Sequence, residues 1–148
     1  MSALVSLPAR LPGWRGRLYR WLAEIAPQPH VYGEHDCALF ASGAIRAMHG
    51  VDPAENWRGR YTTLAGGLRL LRRDGFQSHV DVLARLGRPV TPALAQIGDF
   101  AVVDTPEMPA LGIVTGSQLQ LLRLDGLASL PLILPGNGGC VAREVWRT

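Results

Sequence analysis

The chain has no lysine: arginine supplies all 15 of its basic side chains, against 12 acidic ones, for a formal charge of +3. Basicity this modest gives little support for binding nucleic acid. The arginines are spread along helical stretches such as Arg15, Arg17 and Arg20 or Arg69, Arg72 and Arg73, with no aromatic-rich strand on which bases could stack, so no nucleic-acid partner is expected. Cysteine is almost as scarce. Cys37 and Cys140 lie far apart in unlike surroundings, which argues against a disulfide framework and against paired Cys-x-x-Cys zinc clusters. No apolar run approaches the roughly 18 residues that a membrane span needs. Met1-Ser2-Ala3-Leu4-Val5 lacks the charged start and long apolar core of a signal peptide, so export by that route is not expected.

What is present suits one globular domain: 148 residues, 47% hydrophobic and 18% charged, enough for one core and too few for two. Helical periodicity fills the first half and short apolar runs the second. That segregation predicts an α+β fold, with N-terminal helices packed on a small C-terminal antiparallel sheet. Residues 1–13 read as an extended arm. Trp14, Leu18, Trp21, Leu22 and Ile25 recur at helical spacing until Pro27 and Pro29 end the segment. Asp36 is placed to cap a helix from Cys37 to His49, which Gly50 closes. Its inner stripe would be Cys37, Phe40, Ala41, Ala44, Ile45 and Met48. A third helix carries Leu64, Leu68 and Leu71 as far as Asp74-Gly75. A shorter one, capped by Ser78, runs to Leu86 before Pro89 and Pro92 break the pattern. Strands are predicted at 99–103, 111–115, 118–123, 130–134 and 140–146, with Gly116-Ser117 and Pro135-Gly136-Asn137-Gly138-Gly139 as turns.

Chemistry centres on Gly33-Glu34-His35-Asp36-Cys37. A cysteine in the first turn of a helix faces unpaired backbone N–H groups and the positive end of the helix dipole, both of which favour the thiolate. The ordinary alternative is that a small apolar thiol fills the boundary between helix and sheet. His35-x-Cys37 offers two metal ligands without a second cluster, so no metal site is expected. Gly136-Asn137-Gly138-Gly139 leads into a β-type segment where a phosphate cradle needs a helix, so no cofactor is expected either.

The same Gly33–Cys37 motif, followed by Gly98-Asp99-Phe100 at the start of a strand, resembles the NlpC-type cysteine peptidases of the papain-like fold. Asp36-Cys37-Ala38-Leu39-Phe40, Gly50-Val51-Asp52-Pro53, Arg58-Gly59-Arg60-Tyr61 and Leu111-Gly112-Ile113 look like a branch of that family encoded among bacteriophage tail genes. The resemblance covers roughly residues 14–147. It implies Cys37 as nucleophile and a His just before Leu111-Gly112-Ile113 as the base that takes the thiol proton and returns it to the leaving amine. Ala110 occupies that position.

Only His30, His35, His49 and His79 could substitute. His49 lies about 18 Å along its helix at about 1.5 Å per residue. His30 and His79 read as surface-loop or cap residues, which leaves His35 as the substitute base to consider. Glu34, Asp99 and Asp104 are poor bases for a thiol and would oppose its ionisation. The resemblance therefore implies a structural or assembly component of a phage tail tip, with other tail or baseplate proteins as partners. Trp57, the Trp-bearing first helix and the arginines would be its contact surfaces. The alternative is a peptidoglycan hydrolase that uses Cys37 during genome delivery. Either would be made in the bacterial host cytoplasm and reside in the virion tail.

Overall fold

The computed structural model describes residues 6–134, 136 and 139–148. Among the described residues four α-helices precede the sheet: α1 (Trp14–Ile25), α2 (Cys37–His49), α3 (Leu64–Arg73) and α4 (His79–Leu86). Capping side chains, at Asp36 and Ser78 as predicted and also at Thr63, satisfy the unpaired amides of the first turns. Asp36 accepts from the Leu39 amide, Thr63 from Gly66 and Ser78 from Asp81. Gly50 closes α2 with φ of 82°, a left-handed conformation that other residues adopt only under strain.

Six strands follow among the described residues: β1 (Arg88–Val90), β2 (Phe100–Val103), β3 (Ala110–Val114), β4 (Gln118–Arg123), β5 (Gly126–Pro131) and β6 (Glu144–Arg147). They form one antiparallel sheet in the order β1-β6-β2-β3-β4-β5. The α+β architecture with a C-terminal antiparallel sheet is as predicted. Three details differ. Arg88-Pro89-Val90 is a strand despite its proline, because it lies at the sheet edge and pairs only with β6, where a missing N–H costs little. The strand expected at 130–134 lies at Gly126–Pro131 instead, since Leu124-Asp125 makes a two-residue hairpin that pairs Arg123 with Gly126. The last strand begins at Glu144, not Cys140, and Cys140 makes only an isolated bridge to Ile133. Of the turn predicted between these segments, Pro135, Asn137 and Gly138 lie outside the described residues, as do Met1–Val5 of the predicted arm.

The sheet is covered on both faces. Alternate residues Phe100, Val102, Leu111, Ile113 and Leu122 point to α1, α2 and α4 and join Leu18, Phe40, Ile45 and Met48 in the main core. The other face, with Ala101, Val103, Val114, Leu119, Leu121 and Val145, packs under Leu132 and Ala142 from the connection to β6. This two-sided burial explains why β2 and β3 are apolar throughout instead of alternating. α2 sits close against α1 because position 43 is glycine: a Cβ there would stand 2.4 Å from Cζ2 of Trp21. Beyond the far end of α2, His49 Nδ1 donates to the Pro8 carbonyl at 2.8 Å, and Nε2 accepts from the Thr148 hydroxyl at 3.0 Å.

An ion pair with a buried carboxylate ties the sheet edge to the start of β2. Asp99 is fully buried; its carboxylate accepts from Arg147 Nε and Nη2, each at 2.8 Å, and from the Gln96 amide at 2.8 Å. Removing Arg147 would leave the buried carboxylate without its cation. Arg147→Ala should therefore lower unfolding free energy by about 3 kcal/mol or more. Arg143→Ala, which breaks an exposed pair with Asp104, should cost under about 1 kcal/mol. Urea denaturation of the two variants measures the contrast.

Candidate functional site

The turn before α2 is built around the carboxylate of Asp36, which is buried. One oxygen caps the helix through the Leu39 amide at 3.0 Å. The other accepts from the Gly33 amide at 3.0 Å and from the Tyr61 hydroxyl at 2.5 Å. Gly33 has φ of 84°, and a Cβ on it would lie 1.9 Å from the Tyr61 carbonyl oxygen. The turn therefore accepts only glycine. The segments Gly50–Pro53 and Arg58–Tyr61 come together beside it. Asp52 accepts from Arg58 Nε at 2.5 Å and Nη2 at 3.2 Å, and Arg58 Nη2 also donates to the Leu39 carbonyl at 3.4 Å. These residues brace the entry to α2.

Cys37 follows Asp36 and is half-buried. It lies between a small apolar interior cavity, which His79, Tyr61 and Leu111 also line, and an open cleft of about 460 Å³. The cleft is bounded by His30, Tyr32, Asp104, Glu107 and Ala110. Ala110, where the resemblance expects a histidine, thus borders the cysteine's cleft, with a methyl in place of an imidazole. Burial pushes the Cys37 thiol up to about 12, and the charge of Asp36 adds to it; a hydrogen bond from the Leu111 amide and the amides of the first turn oppose them. The activation expected from the helix end is outweighed. The helix dipole contributes about 0.3–1 kcal/mol, less than the roughly 1.4 kcal/mol that moves a pKa by one.

The histidines are distributed differently from the sequence reading. His35 is buried two residues before Cys37, but it lines a different cavity, between α1 and α2. Burial lowers its pKa, Asp36 raises it, and His30 and Arg58 lower it. His79 is no surface cap residue: it is buried, and its Nε2 donates to the Pro109 carbonyl at 2.6 Å. Burial holds its pKa below the usual value. Among the described residues none of the four histidines is hydrogen-bonded to Cys37.

His30 lines the Cys37 cleft and packs edge-on against Tyr32, with ring centroids 4.7 Å apart. Sequence reasoning missed Tyr32 and the inward placement of His79. For His79 a signal existed: with Val82, Leu83 and Leu86 it falls at spacings of three, four and seven on the apolar side of α4.

Other expected contacts are also corrected. Trp57 is not a surface anchor; it is buried against Phe76, with ring centroids 5.6 Å apart, and its Nε1 donates to Asp74 at 2.7 Å. Trp14 and Trp21 of α1 pack toward the main core. Asp99 is engaged by Arg147 and Asp104 by Arg143. Among the described residues no group of three or more His, Cys, Asp or Glu stands together as a metal site, and no helix is long and apolar enough to cross a membrane.

The family described as a domain of unknown function (DUF6950) matches residues 9–146, so the chain belongs to it. No curated protein matches the chain.

With its thiol at about 12, Cys37 should be thiolate in only about one molecule in ten thousand at pH 8. A disulfide reagent should modify it slowly at that pH and faster as pH rises. Asp36→Asn, which keeps a capping side chain and removes the charge, should lower the apparent pKa. Raised folded-state values for Cys37 and Tyr61 also link folding to pH. Their stabilisation is complete below the unfolded values of about 8.5 and 10 and is lost as pH rises through the folded ones. Chemical denaturation between pH 8 and 11 should show stability falling.

Proposed function

For this member of the DUF6950 family we propose a structural or assembly role in a bacteriophage tail tip, performed by a papain-like, NlpC-type fold that has kept its cysteine and lost its base. The observation that carries the reading is the Cys37 cleft: the thiol is held protonated, and Ala110 stands beside it where the resemblance places a histidine. A methyl cannot accept the thiol proton or return it to a leaving amine. The residues that carry the tail-gene resemblance, Asp36, Asp52, Arg58 and Tyr61, bond to one another or to the backbone around the α2 entry. They serve as scaffold and do not depend on catalysis to be retained. Other tail or baseplate proteins are the partners in this reading, and the virion tail is its location.

A second reading, a peptidoglycan hydrolase with Cys37 as nucleophile, draws support from His30, which borders the same cleft. It would also have to overcome the protonated thiol.

The two readings part on Cys37→Ala. On the structural reading, purified wild-type chain releases no products from muropeptides, and particles assembled with Cys37→Ala remain fully infectious. Cleavage by the wild type that Cys37→Ala or His30→Ala abolishes would establish the hydrolase instead.

A further inference from the structure

A second concave site lies on the other side of the α2 entry, away from Cys37. It is a cavity of about 400 Å³ between α1, α2 and the turn before α2. Four arginines line it: Arg17 and Arg20 from α1, Arg46 from α2, and Arg58 from the braced loop; Glu24 and Glu34 stand against them. Arg17 is oriented by its Nε donating to the Ala47 carbonyl at 2.8 Å. Arg58 is held by Asp52. The side chains of Arg20 and Arg46 have no hydrogen bond or ion pair among the described residues. His35 completes the lining. It is 9% exposed, and its Nε2 is buried with no hydrogen-bond partner. A buried imidazole nitrogen without a partner is costly in a folded protein, and in a cavity where the Arg20 and Arg46 side chains are also unpartnered it points to an anion that the chain itself does not supply.

We propose that this cavity binds a small, soluble phosphate-type oxyanion. With Arg58 held by Asp52, Arg17, Arg20 and Arg46 against Glu24 and Glu34 leave one positive charge in excess, which favours a small anion. Guanidinium groups are favoured for phosphate because they present several N–H donors in a fixed plane. Guanidinium donors line the cavity from two helices and a loop, an arrangement that suits the acceptors of a tetrahedral oxyanion better than those of a single planar carboxylate. The cavity shares neither Cys37 nor Ala110, so this inference stands apart from the proposed tail role.

The test uses the whole chain and inorganic phosphate at constant ionic strength, with the His35 imidazole resonance as reporter. The expected result is a saturable shift of that resonance. Its midpoint should rise at least tenfold in Arg20→Gln/Arg46→Gln, both exposed and unpartnered, and stay unchanged in the distant control Arg123→Gln. No saturable response, or one that the double variant leaves intact, would overturn the proposal. Malonate binding as tightly as phosphate would overturn the phosphate assignment. Sedimentation with phosphatidate vesicles, lost in the double variant and without a response to free phosphate, would place the anion in a lipid headgroup and overturn the soluble ligand.

Discussion

The carboxylate of Asp36 is the contact on which this half of the molecule depends. One oxygen begins α2 by capping the Leu39 amide, and the other holds the Gly33 turn and the Tyr61 hydroxyl together. A buried carboxylate is costly unless its lone pairs are engaged, and here three donors reach it from three segments. Without them the approach to α2, the Arg58–Tyr61 loop and the position of Cys37 would lose their common reference. The Asp52–Arg58 pair reinforces the same junction from the opposite side.

That arrangement also sets the character of the cysteine. A helix N-terminus alone favours a thiolate, yet the residue that starts this helix is itself an anion next to a poorly solvated thiol. Like charge and burial act in the same direction and exceed the dipole. In a working cysteine hydrolase an imidazolium would offset both. With alanine at position 110, no imidazole stands there to offset the capping carboxylate.

Local chemistry was legible in the sequence because its partners are near in the chain. The caps Asp36 and Ser78 lie within three residues of the amides they bind, and the helical stripes are periodic. Position in the sheet was less legible. Pro89 reads as a breaker unless its strand is known to be an edge, and the β4–β5 hairpin depends on a two-residue turn hidden in an apolar stretch. Tertiary burial was least legible. Trp57 finds Asp74 and Phe76, and His79 finds Pro109, across 17 to 30 residues. For the site, the sequence located Cys37 and the unusual Ala110. It could not show that His35 and Cys37 open on different cavities, because neighbours in sequence part company at a helix start.

The Gly33 turn bears on how mutational tolerance in this molecule would be read. Its missing Cβ is filled by the backbone of Tyr61, 28 positions later in the chain, so the turn and the loop admit one another only as a fitted pair. A survey of variants scored by folded yield would rank Gly33, Asp36 and Tyr61 among the least replaceable residues. They would stand out as an active site does, while the cysteine at their centre, free of any such interlock, could vary to another small residue at little cost.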